Sequence, residues 1–181
     1  MYSESWEIKF VSRDINWQYC PECRGSLVEQ TMEPDKQIKV CSDCGLRLHR
    51  DPKVAVAAIV QLSGAVLLVK RARHPMKGYW CLPGGFVDLG ETLEEAVVRE
   101  ATEETGLATR VSRLWGLYSY TGYPVVVAIY ELEFLYGDLK TCAENLDAQW
   151  FAPAEIPWGL LAFPSTKDSL ETWAAVTARN Q

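Results

Sequence analysis

The segment from Gly84 to Leu107, GGFVDLGETLEEAVVREATEETGL, constrains the fold of this chain more tightly than any other stretch. Its paired glycines follow an apolar run, which predicts a short strand broken by glycine. Thr92 to Thr105 predicts a helix, and Gly106 is expected to end it, as glycine commonly does just past a helix terminus. A strand, a loop and a helix must therefore follow one another within this one segment.

Three glutamates of this helix, Glu100, Glu103 and Glu104, lie close together in a way that calls for an explanation. At about 100° per residue they share an arc of roughly 100° with Leu93 and Ala96. The opposite side is assigned to Glu94, Glu95, Thr102 and Thr105. The pattern predicts carboxylates directed toward the protein body, where a bound cation would offset their repulsion. The alternative is a solvated acidic face.

The rest of the chain from Lys53 onward predicts a mixture of strands and helices. Lys53–Leu62 is rich in β-branched residues and predicts a strand, Ser63-Gly64 predicts a turn, and Ala65–Arg71 predicts the returning strand. Further strands are predicted at 107–120, 123–136 and 148–153. A C-terminal helix is predicted at 165–179, with Ser165 or Thr166 as its candidate cap.

The spacing within the glutamate segment resembles the box that defines the Nudix hydrolases. Gly85, five residues, Glu91, seven residues and then Arg99 to Leu107 (REATEETGL) match all the fixed positions of that box. The resemblance extends from about Lys53 to about Arg179 in the order of strands and helices. It implies an α+β fold, a Nudix α/β/α sandwich with a mixed β-sheet, and hydrolysis of phosphoanhydride bonds.

The chemistry of the box residues agrees with that resemblance. Carboxylates are hard ligands suited to Mg²⁺ or Mn²⁺, and a backbone carbonyl at Gly85 can approach a metal closely. The predicted metal ligands are Glu100, Glu103, Glu104, Gly85 and, by resemblance, Glu144, whose alternative is an exposed loop acid. Catalytic roles are assigned to Glu103, to Arg99 and to Glu91, with which Arg99 pairs by resemblance. Which glutamate acts as the base stays open.

Two cysteine pairs precede this region, Cys20-Pro-Glu-Cys23 and Cys41-Ser-Asp-Cys44, seventeen residues apart. Such spacing is typical of a zinc ribbon, in which each pair supplies two thiolates to a tetrahedral site. Four cysteines leave no open coordination position, so the zinc is expected to be structural. Gly25 and Gly45 are expected to provide positive φ angles at the two knuckles. The intervening residues predict a small hairpin.

Composition and organisation set the broader expectations. The net charge of -6 argues weakly against a general nucleic-acid binder. No apolar signal segment or membrane span is recognisable, so a cytoplasmic location is expected, where cysteines favour metal over disulfides. Three parts are predicted: a leader at 1–19, a zinc ribbon at 20–50 and a Nudix domain at 53–181.

Two Nudix groups with a preceding zinc ribbon are similar to this chain: the NADH pyrophosphatases, which also act on NAD-capped RNA, and a shorter group acting on FAD or ADP-ribose. The first group carries a Ser-Gln-Pro-Trp-Pro-Phe-Pro-x-Ser array after the box, and LYSYTGYPVVVAIY stands there instead. The stretch from Cys142 to Phe163 resembles the second group. The resemblance therefore favours FAD or ADP-ribose as substrate, cleaved to AMP and a phosphorylated remainder.

Several further residues are candidates for substrate contact. Arg71 and Arg73 lie in a basic loop suited to phosphates, although a solvated loop is an equal alternative. Tyr118 and Tyr120 are suited to stacking on a base or flavin, although strand aromatics are more often core residues. A rival function is a nucleotide sensor that does not cut its ligand. A homodimer is implied only by the family resemblance.

Overall fold

The computed structural model describes residues 17–33, 36–49 and 51–179. The chain divides into two compact units, Met1–Pro52 and Lys53–Gln181. Most of the predicted leader, residues 1–16, lies outside the described residues. The three predicted domain boundaries remain a prediction.

The first unit contains a small antiparallel sheet around the cysteine pairs. Its strands are β1 (Leu27–Glu33), β2 (Lys36–Cys41) and β3 (Arg47–Leu48), in that order across the sheet. Leu27 pairs with Cys41, which places the start of the hairpin beside the second cysteine pair. The predicted hairpin is thus present, and β3 adds a short third strand that the sequence pattern did not indicate.

The second unit is built on a mixed sheet of seven strands among the described residues. The strands are β4 (Lys53–Leu62), β5 (Ala65–Arg71), β6 (Trp80–Cys81), β7 (Gly84–Phe86), β8 (Ala108–Tyr118), β9 (Val125–Tyr136) and β10 (Asn145–Phe151). The main order is β10-β5-β4-β9-β8, with β6 beside β5 and β7 beside β4. β4 and β9 run parallel and the other pairs are antiparallel.

Helix α1 (Leu93–Thr105) is delimited by capping at both ends. The Thr92 hydroxyl accepts from the backbone N–H of Glu95 at 3.2 Å, and the Glu95 carboxylate accepts from the N–H of Thr92 at 2.8 Å. This reciprocal capping box satisfies two donors that a helix start leaves free. Gly106 adopts φ 72°, and its N–H donates to the Thr102 carbonyl at 2.8 Å. The predicted helix and its glycine stop are both observed.

The alternation of side chains along β4 places one helix on each face of the sheet. Val56, Ala58 and Val60 pack with buried residues of α1, whereas Ile59 packs with the second helix, α2 (Pro164–Arg179). Successive strand residues point to opposite faces, so a strand with apolar residues at nearly every position is buried on both. The predicted α/β/α sandwich with a mixed sheet is confirmed.

Helix α2 begins one residue earlier than the sequence pattern indicated. Pro164 occupies its first position, which suits proline because the first helical N–H needs no intrahelical partner. Ser165 and Thr166 are buried within the first turn, so neither is the predicted N-terminal cap. Trp173 is 2% exposed, and its indole N–H donates to the Gln61 side chain at 3.2 Å. This contact ties α2 to the end of β4.

Among the helices of the described residues, none has both the length and the apolar character needed to cross a bilayer.

Candidate active site

Gly84 joins β7 to the centre of the sheet and to α1. A Cβ at this position would lie 2.2 Å from the carbonyl oxygen of Val56 on β4, so only glycine allows this approach. The backbone N–H of Gly84 donates to a carboxylate oxygen of Glu104 at 2.9 Å. The strand therefore holds one of the helix glutamates directly through its backbone.

Gly85 is the second position where β7 and α1 meet. A Cβ on Gly85 would lie 2.4 Å from Oε1 of Glu100, so the carboxylate packs directly against the glycine backbone. Gly85 pairs with Val56 in the β4–β7 ladder, which fixes its place relative to the helix. The paired glycines thus bring two glutamates against the strand. The proposed role of the Gly85 carbonyl as a metal ligand remains a prediction.

Arg99 connects the helix, the preceding loop and β7. Its guanidinium donates to both carboxylate oxygens of Glu91, at 2.6 Å and 3.0 Å, and to Glu100 at 2.8 Å. It also donates to the Phe86 carbonyl at 3.2 Å and to Glu103 at 3.4 Å. These bonds lower the pKa of Glu91 to about 2 and raise the pKa of Arg99 above its usual range. Arg99 therefore contacts three acidic residues, including Glu91, and its catalytic role remains a prediction.

The carboxylates line a cleft with a volume of about 320 Å³. Its lining residues are Arg73, Glu100, Glu103, Glu104, Cys142, Ala143 and Glu144. Glu144, predicted from outside the box, thus lies in the same cleft as the three helix glutamates. In this structure its carboxylate accepts from Arg73 at 2.6 Å.

Burial makes the negative charge in this cleft costly. Burial, together with the charge of Glu100, raises the pKa of Glu104 to about 7, although the hydrogen bond from Gly84 opposes the shift. Burial also raises the pKa of Glu100, although Arg99 opposes the shift. A carboxylate in a poorly solvated site ionises readily only when positive charge compensates it. Hard oxygen donors with unmet negative charge fit a Mg²⁺ or Mn²⁺ ion.

The glutamate oxygens do not converge on one point in this structure. Within the part of the chain described here, the four paired cysteines are the one group of three or more acidic, histidine or cysteine ligands whose ligand atoms lie within 4.8 Å of one another. Arg99 and Arg73 hold the carboxylates through ion pairs instead. Binding of a cation by several of these carboxylates therefore requires a rearrangement of side chains.

The buried face of the helix differs from the one that the sequence predicted. Its buried residues are Ala96, Val97, Ala101 and Thr105. Thr105 was assigned to the outer face, but it is fully buried and its hydroxyl donates to the Ala101 carbonyl at 2.5 Å. Glu103 was expected to point inward, yet its side chain is 61% exposed. The centre of the buried face lies nearer Ala101 and Glu104 than Leu93 and Ala96.

The four cysteines of the first unit come together as their spacing predicted. Their sulfur atoms lie within 4.8 Å of one another, with Cys20 and Cys44 at 3.6 Å and Cys23 and Cys41 at 3.4 Å. A tetrahedron with Zn–S bonds of about 2.3 Å has edges of about 3.8 Å, so the set is close to zinc geometry. The backbone N–H groups of Cys44 and Asp43 point at the Cys41 sulfur.

The two knuckles use their glycines differently from the prediction. Gly45 has φ 74°, as expected, but the positive φ of the first knuckle falls on Arg24, at 65°, and not on Gly25. Gly25 is needed for space, because a Cβ there would lie 2.5 Å from the Asp43 carboxylate. The backbone N–H of Cys44 lowers the pKa of the Cys41 thiol to about 6, which favours the thiolate that zinc binds.

The substrate-binding candidates divide between two places. Arg73 lines the cleft, and Arg71 lies close enough to lower the pKa of Glu104 while its guanidinium covers the Phe163 ring at 4.9 Å. Tyr118 packs at the edge of the core beneath α2, and the Tyr120 hydroxyl donates to Asp168 on α2 at 2.7 Å. The tyrosines therefore lie outside the cleft lining, and their role in binding remains a prediction.

One residue that positions the cleft was missed from the sequence. Asn145 is buried at the start of β10, and its side-chain amide donates to the Glu104 carbonyl at 3.4 Å. It also pairs with Arg71 across the β10–β5 ladder. Asn145 thus connects the loop that carries Glu144 to the end of α1. An isolated asparagine gives no pattern from which this link could be recognised.

The raised pKa of Glu104 leads to a pH-dependent stability prediction. Because the folded-state pKa, about 7, lies above the ordinary value of 4.5, ionisation costs stability as pH rises from about 4.5 to about 7. Glu104→Gln removes this cost while keeping an acceptor for Gly84. Without added Mg²⁺ or Mn²⁺, we expect the variant to have a Tm about 3 °C or more above wild type at pH 8 and a smaller gain at pH 5. Thermal unfolding followed by circular dichroism measures this difference.

Glu103→Gln is the matched control, because Glu103 is next to Glu104 in the sequence and its side chain is exposed. It is expected to shift Tm little at either pH. An equal gain for Glu104→Gln at pH 5 and pH 8, or a loss at pH 8, would contradict the account of its burial.

Comparison with known proteins agrees with this geometry. The NUDIX domain profile matches residues 50–173. A Methanocaldococcus jannaschii protein named ADP-ribose pyrophosphatase is 42% identical over 125 residues, covering 67% of this chain and 73% of that protein. A Vibrio atlanticus protein named NAD-capped RNA hydrolase NudC is 29% identical and matches 83% of this chain. The matched region spans 55% of that NudC protein.

The solved structures give the same result. The crystal structure of a NUDIX hydrolase from Nitrosomonas europaea has a TM-score of 0.85 and 30% identity, covering 91% of this chain and 94% of that one. A MutT NUDIX hydrolase from Burkholderia pseudomallei has a TM-score of 0.59 and 32% identity over 67% of this chain and 97% of that one. The profile match covers most of the chain, and the box glutamates line one cleft. The chain belongs to the Nudix family, as a hydrolase acting on phosphoanhydride bonds.

Proposed function

We propose that this enzyme hydrolyses ADP-ribose, with FAD as a second substrate, to AMP and the phosphorylated remainder. The observation that carries the reaction is the cleft in which Glu100, Glu103, Glu104 and Glu144 meet. The similarity to the M. jannaschii ADP-ribose pyrophosphatase supports the choice of substrate. The choice of FAD as a second substrate rests only on the stretch from Cys142 to Phe163, which resembles the group acting on FAD or ADP-ribose.

The residues that would hold Mg²⁺ or Mn²⁺ are the four cleft glutamates, with the Gly85 carbonyl beside them. Glu100 and Glu104 are the less exposed members, so their charge has the greater need of a cation. When bound, the divalent ion neutralises diphosphate charge and lowers the pKa of a coordinated water. Gly84 and Arg99 keep Glu104 and Glu100 in place from the strand and helix sides.

Glu103 is the proposed general base. Its side chain is the most exposed of the three box glutamates, so it can reach a water that enters the cleft from solvent. Its bond to Arg99, at 3.4 Å, is the longest that the guanidinium makes, which leaves this carboxylate the least restrained by that network. A carboxylate within hydrogen-bond reach of the attacking water can accept its proton.

A specific similarity supports NADH or NAD-capped RNA as the second candidate substrate. The likeness to the NudC protein from V. atlanticus covers 83% of this chain. Two features favour ADP-ribose instead. The Pro-rich array of that group is replaced by LYSYTGYPVVVAIY, and the net charge of -6 provides little attraction for an RNA backbone.

We propose that residues 20–50 form a zinc ribbon, with Cys20, Cys23, Cys41 and Cys44 as ligands, ahead of a Nudix domain at 53–181. The converging sulfur atoms and the N–H groups directed at Cys41 support this assignment. Four sulfur ligands fill a tetrahedral site, so the metal would stabilise the fold and take no part in catalysis.

Zinc content tests the ribbon. Wild-type protein purified without added zinc is expected to contain about one Zn²⁺ per chain. Elemental mass spectrometry of the purified protein measures this content. Cys23→Ser should lose the zinc and reduce solubility, because binding of structural zinc contributes directly to folding. Cys142→Ser is the control and should keep the metal. Free reaction of all four ribbon thiols in the native protein would rule out the site.

Glu103→Gln tests the proposed base. The substitution keeps shape and removes charge, so we expect kcat to fall by about a hundredfold or more with the fold intact. Steady-state kinetics with ADP-ribose and Mg²⁺ or Mn²⁺ measure the change. Glu94→Gln is the control, because Glu94 accepts from the Tyr130 hydroxyl away from the cleft, and a glutamine oxygen can do the same. Near-normal turnover of folded Glu103→Gln would overturn the assignment.

A competition assay tests the substrate. Equal ADP-ribose, FAD and NADH are placed in one reaction, and AMP, ribose 5-phosphate, FMN and the nicotinamide product are followed by chromatography. We expect ADP-ribose to be consumed fastest. Tenfold faster loss of NADH than of both others would place the enzyme with the NADH group. Absence of cleavage of all three with either metal would contradict the whole substrate proposal.

A further inference from the structure

Arg73 is the one basic residue among the described residues that line the carboxylate cleft. Its guanidinium contacts the Glu144 carboxylate at 2.6 Å. The two side chains are 64% and 54% exposed, so the pair faces solvent. An exposed ion pair of this kind is weak and exchanges partners readily.

The backbone keeps the two residues of this pair next to each other. The N–H of Ala72 donates to the Glu144 carbonyl at 2.8 Å, and Arg71 pairs with Asn145 at the ends of β5 and β10. Asn145 in turn binds the Glu104 carbonyl. The position of each chain segment is therefore fixed, whereas the long Arg73 side chain is free to change its partner.

The charge of Glu144 acts on the same carboxylates that the proposed reaction uses. Glu144 lines the same cleft as Glu100 and Glu104, so their negative charges share one confined space. Arg73 offsets part of this charge from the solvent side of the cleft. A divalent cation bound in this cleft would compete with the Arg73 guanidinium for Glu144, because both would use the same carboxylate oxygens.

We propose that Arg73 changes its partner during the reaction cycle, an inference that rests on the function proposed above. Arg73 holds Glu144 while the cleft lacks a divalent cation and releases it when the cleft takes one. The freed guanidinium then pairs with a phosphate of the substrate. Arginine suits this exchange because its planar fork matches carboxylate and phosphate oxygens alike.

Arg99, the other arginine that binds these glutamates, differs from Arg73 in its exposure and in its number of partners. Arg99 is 28% exposed and donates to four different residues, so its guanidinium is fixed. Among the described residues Arg73 pairs with one carboxylate, that of Glu144, and its side chain has more than twice the exposure of Arg99. An exposed guanidinium with one carboxylate partner, such as that of Arg73, can leave this anion for another, whereas the guanidinium of Arg99 is held by several bonds.

Direct measurement of Mn²⁺ binding tests the exchange without substrate or turnover. Electron paramagnetic resonance of free Mn²⁺ gives the dissociation constant of the full-length protein. Arg73→Gln should bind Mn²⁺ about two- to fivefold more tightly, the change expected from losing one exposed ionic competitor. Arg110→Gln is the matched control, because the Arg110–Glu133 pair has similar exposure, 68% and 53%, outside the cleft. It should bind Mn²⁺ like wild type.

Two further measurements separate the exchange from a general change in charge. With Glu144→Gln as background, Arg73→Gln should no longer tighten Mn²⁺ binding, since the partner is gone. With ADP-ribose, Arg73→Gln should raise KM more than it lowers kcat, and Arg73→Lys should restore part of the loss. Unchanged or weaker Mn²⁺ binding by Arg73→Gln would overturn the inference and leave the proposed function standing. Failure of wild type to bind Mn²⁺ would contradict the proposed function itself.

Discussion

The contact on which the site depends is the packing of the Glu100 and Glu104 carboxylates against the paired glycines of β7. Gly84 supplies a backbone N–H to Glu104, and Gly85 has no Cβ to displace Glu100. A side chain at Gly84 would clash with the backbone of β4, and one at Gly85 would displace the Glu100 carboxylate. The two acidic residues are therefore held at the sheet, where water solvates them poorly and their charge needs a counterion.

Arg99 makes this arrangement durable by neutralising one side of the acidic cluster. Its guanidinium donates to both carboxylate oxygens of Glu91, to Glu100 and to the Phe86 carbonyl. The loop, the strand and the helix are thus joined by one fixed cation. The side of the cluster that faces the cleft keeps its excess negative charge, and that remainder is what a divalent ion would satisfy.

Much of the fold and of the site could be predicted, because the sequence patterns that indicate them are local. The strand Lys53–Leu62, the capped helix and the cysteine spacing each depend on residues close in sequence. The predictions for Thr105 and Glu103 were wrong, since Thr105 is buried and Glu103 is exposed. Helical periodicity alone does not fix which side of the helix faces the sheet. The Arg73–Glu144 ion pair could not be predicted from the sequence either, since it depends on the irregular register between β5 and β10.

The central claim is that the cleft between β7, α1 and the loop carrying Glu144 binds the divalent cations of the reaction. Anomalous diffraction at the manganese edge, from crystals grown with Mn²⁺, locates such ions directly. The account predicts at least one anomalous peak within coordination distance of Glu100 and Glu104. Crystals that contain Mn²⁺ elsewhere on the protein but show no peak in this cleft would contradict it.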